Sequence, residues 1–102
     1  MIFATKYRKT LLIGAVEDEM KQILFEISNQ SDFTIDVMET DIDHIHILID
    51  YPPKLSISSI VNRLKAISTI RIYKKHFVFL KQQYWKENTF WLPSGFLNFA
   101  KV

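Results

Sequence analysis

The hydrophobic pattern of the chain predicts an α+β domain: an antiparallel sheet with two helices on one face. Three observations carry this reading. Apolar residues recur at helical spacing in two segments, Val16 to Ile27 and Ile57 to Ile67. Between them, Phe33 to Thr40 and His44 to Asp50 read as two strands joined by the turn Asp41-Ile42-Asp43. Shorter apolar segments open and close the chain. At 102 residues, 48% of them apolar and 24% charged, residues 1–102 form a single globular domain with room for one modest core.

Each element has its own warrant. Met1 to Tyr7 is short and apolar and reads as a strand that ends in the basic run Lys6-Tyr7-Arg8-Lys9. Leu11 to Gly14 lead into the first helix, where Val16, Met20, Ile23, Leu24 and Ile27 make one apolar stripe. Glu17, Asp18 and Glu19 are placed at its start, where the helix dipole favours negative charge. In the next strand Phe33, Ile35 and Val37 point one way and Thr34, Asp36 and Met38 the other. The isoleucine-rich strand His44 to Asp50 is stopped by Tyr51-Pro52-Pro53-Lys54, because proline cannot continue a ladder. The second helix starts at Ser56 or Ser58, both good N-caps, and Ile57, Ile60, Val61, Leu64 and Ile67 form its apolar face. Lys74 and Lys75 suit its C-terminal end, with Phe77, Phe79 and Leu80 packing beyond. Tyr84-Trp85 and Phe90-Trp91 flank Lys86 to Thr89 as a last short hairpin. The order strand, helix, strand, strand, helix, strand is the split βαβ or ferredoxin-like arrangement, which hosts many functions and decides none.

Composition removes several classes. The chain has no cysteine, which excludes a disulfide scaffold, a zinc ribbon and a thiol nucleophile and makes a reducing, cytoplasmic setting the default expectation. No apolar run is long enough to span a membrane, and the N-terminus does not read as a signal peptide. Two glycines cannot build a glycine-rich phosphate loop. The net charge of +2 conceals a segregation: ten of the eleven acids lie between Glu17 and Asp50, where Lys21 is the only base. From Tyr51 to Lys86 there is no acid, but Lys54, Arg63, Lys65, Arg71, Lys74, Lys75, Lys81 and Lys86 are present. The plain reading is a solvated basic helix face; the length of the acid-free stretch favours a polyanion such as nucleic acid.

His44-Ile45-His46 is the sharpest chemical feature. On a strand, residues i and i+2 share a face about 6.5–7 Å apart, so both imidazoles can converge on one ion. By itself this spacing more often marks hydrogen-bonded, half-exposed imidazoles than ligands. Asp43 beside it is suited to orient an imidazole, while Asp50 shares the histidine face by parity and is equally well read as solvated. A cation held beside lysines and arginines is the equipment of phosphodiester chemistry.

Taken together, Thr5-Lys6-Tyr7-Arg8-Lys9, Asp41 to Ile49 with its histidine pair, Tyr51-Pro52-Pro53-Lys54, Ser59 to Lys65, Tyr84-Trp85 and Phe90-Trp91 resemble the small tyrosine transposases of the IS-two-hundred group, over nearly the whole chain. The resemblance implies a ferredoxin-like homodimer joined at sheet edges that acts on single-stranded or hairpin DNA. It implies a magnesium or manganese ion held by His44 and His46, and a DNA-binding surface at or near Lys6, Arg8, Arg63 and Lys65, which Arg71 and Lys74 extend. In such proteins a further C-terminal helix carries the tyrosine nucleophile and a third ligand. Here Ser94-Gly95-Phe96 stands where a serine–tyrosine–phenylalanine triplet is usual and the sequence stops at Val102, so the expectation is a domain without that helix. On that expectation the chain binds DNA and has no catalytic nucleophile; Tyr7, Tyr51, Tyr73 and Tyr84 are read as packing or DNA-stacking residues. The alternative is a non-catalytic module that dimerises with, and inhibits, an intact transposase. A regulatory domain for small acids is the weaker third reading.

Overall fold

A computed structural model describes residues 1–92. The expectations placed on Ser94, Gly95, Phe96, Leu97 and Phe99 lie outside these residues. The elements in order are β1 (Ile2–Ala4), α1 (Gly14–Asn29), β2 (Thr34–Asp41), β3 (His44–Asp50) and α2 (Ile57–Gln83), with a single 3-10 turn at Lys6–Arg8. The sheet is antiparallel in the order β1-β3-β2, which puts the histidine strand in the middle. Phe90 to Leu92 runs along the free side of β1: Trp91 bridges Thr5, Lys6 N–H donates to the Phe90 carbonyl at 2.9 Å, and Leu92 N–H donates to that of Ala4 at 2.7 Å. The spatial order is therefore that of a split βαβ unit, with the outermost position held by this short segment.

Both helices lie on the face defined by Phe3, Ile45 and Ile47, all at 1% exposure or less. The α1 stripe of Val16, Met20, Ile23, Leu24 and Ile27 and the α2 residues Ile60, Val61, Leu64 and Ile72 meet them in one core. Gly14 opens α1 at φ +54°, a conformation that glycine adopts without the Cβ penalty other residues bear. The Ser56 side chain caps α2, accepting from Ser59 N–H at 3.1 Å. At the far edge of the core, Trp91 Nε1 donates to the buried Ser68 hydroxyl at 2.9 Å, so a polar indole edge is satisfied inside apolar surroundings.

Several sequence expectations shift. β1 stops at Ala4 instead of reaching Tyr7, because β3 begins at His44, the partner of Ala4, and offers no further ladder. The simple alternation in β2 is broken by a bulge between Ile35 and Val37. The extra residue reverses parity, so Val37 is 46% exposed and Met38 packs on the core. α2 does not end at Lys74-Lys75 but continues to Gln83, with one non-helical residue at His76 (φ −131°). That break turns Phe77 outward, at 57% exposure, while Leu80 is fully buried. The final hairpin does not form: Tyr84 caps the end of α2, and Phe90-Trp91 pairs with the opening strand instead.

Candidate metal centre and nucleic-acid interface

Strand parity builds the site. Since Ile45 and Ile47 face the helices, His44 and His46 project from the opposite face of the sheet, both half-buried. The register places Ala4 and Asp41 on either side of His44, and Ile2 and Glu39 on either side of His46. The alanine opposite His44 is the smallest side chain on that row and leaves the imidazole room. Glu39 and Asp41 are exposed on the same face, yet among the described residues no three histidine, cysteine or acidic side chains form a metal-binding cluster. Two imidazoles fit part of the coordination shell of a cation and leave the rest to other donors. Asp50 shares their parity but sits at the opposite end of β3, paired with Thr34.

Asp43 settles the chemistry of the first ring. Its Oδ1 is 3.0 Å from His44 Nδ1, and its Oδ2 accepts from Arg8 Nε at 3.0 Å. The hydrogen bond with His44 and then that with Arg8 hold the Asp43 carboxyl below the usual carboxylate range, so it is ionised and can only accept. The proton of a neutral His44 therefore resides on Nδ1, and Nε2 keeps the lone pair that a metal needs. The sequence reading of Asp43 as the partner of an imidazole is matched by this contact.

The cations divide between the two faces. Lys6 pairs with Glu87, whose hydrogen bond raises the lysine pKa, and Arg8 pairs with Asp43 while remaining 60% exposed. Both belong to the turn after β1, next to the histidines. Arg63, Lys65, Arg71 and Lys74 ride with α2 in the helix layer behind the sheet, as do Lys75 and Lys81. Lys65 Nζ donates to the Leu92 carbonyl at 2.9 Å and lies 5.5 Å from the centroid of Phe3, a core residue; burial pushes its ammonium pKa down. Arg63 Nε donates to Ser31 Oγ at 2.8 Å and lines a cleft of about 290 Å³ between the end of α1 and the start of α2. Arg71 pairs with Glu26, and Lys74 is exposed with no ion pair among the described residues. Nearness in sequence suggests a cation held beside the lysines and arginines of the helix that follows. The fold instead sends α2 to the isoleucine side of β3.

Sequence reasoning also missed three acids that work at a distance. Glu26 of α1 neutralises part of the acid-free stretch, as does Asp32 by pairing with Lys54 at 3.2 Å. Glu87, the only acid after Asp50, gathers Lys6 and the hydroxyl of Tyr7. No local signal announces such pairs, because their partners are 22 to 81 residues apart.

Comparison with known proteins agrees with this geometry. Residues 1–99 match the family model described as "Transposase IS200 like". This chain belongs to that family. It is 35% identical over 94 residues to the ISDra2 transposase TnpA of Deinococcus radiodurans, covering 92% of this chain and 66% of that protein. It is 34% identical over 91 residues to the transposase for insertion sequence element IS200 of Salmonella typhimurium, covering 89% of this chain and 59% of the relative. The chain thus spans less than two thirds of the length of either relative. A crystal structure of a candidate transposase from Deinococcus radiodurans R1 superposes with a TM-score of 0.82 at 35% identity, over 91% of this chain and 70% of that one. The IS200-like assignment and the α+β architecture read from the sequence are both upheld. No helix among the described residues is long and apolar enough to cross a membrane.

Proposed function

We propose that this chain is the histidine-pair, DNA-engaging part of an insertion-sequence transposase and that its substrate is single-stranded or hairpin DNA. The observation that carries the reading is His44 and His46 on one face of β3, with Asp43 holding the His44 tautomer, in an IS200-like chain. Magnesium or manganese bound there supplies Lewis acidity toward a phosphodiester. His44 presents Nε2, His46 completes the pair, and Asp43 fixes the ring that Arg8 in turn steadies. Arg8 stands where it can engage a phosphate next to this pair, and Lys6 lies in the same turn. Arg63, Arg71 and Lys74 on the helix layer are suited to a duplex stem held away from the histidines, while Lys65 lies on the other flank of α2 beside Leu92.

We infer that none of the four tyrosines attacks a phosphate at the pair. Tyr73 and Tyr84 donate to the carbonyls of Thr89 and Lys6 at 2.7 and 2.8 Å, and burial raises both pKa values. Tyr51 follows the far end of β3, and the Tyr7 hydroxyl is turned to Glu87. The chain therefore binds DNA without forming a covalent adduct through its own tyrosines. Two copies join at a sheet edge. β2 has a bulge and carries Asp36, Glu39 and Asp41, features that blunt edge pairing, so the join is on the Phe90–Leu92 side.

Fluorescence anisotropy with labelled single-stranded and hairpin oligonucleotides in manganese, followed by denaturing gels and sedimentation, tests all of this. The expected result is a dimer that binds with log Kd rising steeply with log salt and gives no adduct. Absence of binding to either DNA refutes the substrate. A covalent complex mapped to Tyr7, Tyr51, Tyr73 or Tyr84 refutes the assignment of the tyrosines, and a monomer at all concentrations refutes the edge join.

A further inference from the structure

The turn after β1 has a conformation that its sequence does not favour. Tyr7 adopts φ +61° and Arg8 φ +51°, two successive left-handed residues, neither of them glycine, asparagine or aspartate. Such a pair persists only where its surroundings overdetermine it. Here they do. Thr5, fully buried, donates its hydroxyl proton to the Lys9 carbonyl at 2.8 Å and lies 3.3 Å from that of Asp43. Arg8 N–H donates to the Thr5 carbonyl at 2.9 Å, Lys6 N–H to that of Phe90, and the buried Tyr84 hydroxyl to that of Lys6 at 2.8 Å.

This clamp grips the backbone and leaves the Tyr7 side chain outside. The ring is 65% exposed, its centroid is 6.4 Å from that of Tyr84, and its hydroxyl meets the Glu87 carboxylate at 3.4 Å beside the Lys6 ammonium. A ring so placed gains little from packing, and a glycine would occupy the same backbone conformation without strain. Cations cluster about this turn: Lys6 Nζ lies 5.3 Å from the ring centroid, Lys9 Nζ lies over the neighbouring Tyr84, and Arg8 is the next residue. Arg8 is also the residue that holds Asp43 against His44, so the turn that carries the ring is tied to the first histidine through Arg8 and Asp43. Trp85 is equally exposed, but it lies beyond the end of α2 with Lys86 over its ring and has no such link to the histidines.

We propose that Tyr7 is a stacking platform for one base of bound single-stranded DNA, held beside His44 by the left-handed turn. The role combines a π-face for the base with lysine and arginine for the flanking phosphates, the pairing by which single strands are gripped without a base code. It rests on the DNA-binding reading above and names the residue that positions the strand near the metal pair.

The test uses the whole chain, three variants and an abasic scan of a single-stranded oligonucleotide. Tyr7→Gly removes the ring and suits the left-handed turn, so it folds; Tyr7→Ala removes the ring on an ordinary residue; Tyr7→Phe keeps the π-face. Both ring-less variants are expected to bind about 5- to 100-fold more weakly, the range that loss of one stacked base brings, and Tyr7→Phe to bind like wild type. In the scan, wild type loses affinity at one abasic position, and Tyr7→Gly shows no further loss there, the signature of a coupled pair. Wild-type affinity in Tyr7→Gly, or equal sensitivity of wild type and Tyr7→Gly at every position, overturns the stacking role and leaves DNA binding standing. Failure of wild type to bind any oligonucleotide overturns both.

Discussion

The two faces of β3 can be separated by adjacent substitutions. Ile45 is fully buried against both helices, whereas the His44 side chain is 31% exposed on the far side. Ile45→Ala removes a core side chain and costs about 2–5 kcal/mol, and Ile45→Val, one methylene smaller, about 0.5–1.5 kcal/mol. For a domain of this size each kcal/mol lowers Tm by roughly 4–8 °C, so Ile45→Ala melts at least about 8 °C below wild type. His44→Ala loses one partly exposed hydrogen bond and costs less than about 1 kcal/mol. Manganese binding, followed by electron paramagnetic resonance or calorimetry on each folded variant, shows the reverse order. It is lost in His44→Ala and kept in Ile45→Val. The reasoning fails if His44→Ala is as destabilising as Ile45→Ala, or if Ile45→Val melts normally but no longer binds the ion.

Asp43→Asn removes the charge that fixes His44 and Arg8. Manganese affinity should fall about 10- to 100-fold, the usual effect of losing a ligand's orienting partner, with a stability change below about 1 kcal/mol. Because the Asp43 pKa is depressed in the folded chain, its contribution is present above the unfolded value, about 3.9, and is lost as pH falls through the lower folded value. The acid limb of a Tm-against-pH curve is therefore flatter in the variant, and parallel limbs count against the ionised bridge. Tyr84→Phe deletes the buried donor to the Lys6 carbonyl and should cost about 1 kcal/mol or more. Burial raises the Tyr84 pKa, so its stabilisation is complete below about pH 10 and is lost as pH rises through the higher folded value. The alkaline limb flattens in Tyr84→Phe; an unchanged limb shows that this hydroxyl does not control it.

The elements around the histidines were legible because their signals are local. Period-two alternation marks β3, with Ile45 and Ile47 against His44 and His46, and it needs no tertiary knowledge. The helical stripe of α1 and the Ser56 cap of α2 are equally local. What alternation cannot report is an inserted residue: the bulge in β2 sends Val37 out and Met38 in, and its warrant lies in the partner strand. The chain's last pairing is likewise non-local: the nearest partner for Phe90-Trp91 in sequence is Tyr84-Trp85, but Trp91 bridges Thr5 just past β1, 86 residues earlier.

The sequence alone thus determined which atoms are available for chemistry: two imidazoles on one side of a strand, a carboxylate next to them, and an excess of cations downstream. Tertiary structure alone decided how those charges are distributed. Because β3 buries its isoleucines against α2, the helix cations lie behind the sheet, while Arg8, 35 residues before Asp43, is folded onto the histidine side. The backbone strain at Tyr7 was also invisible in the sequence, since a left-handed tyrosine is intrinsically unfavourable and exists here only because Thr5, Tyr84 and Phe90 hold the turn from elements distant in the chain.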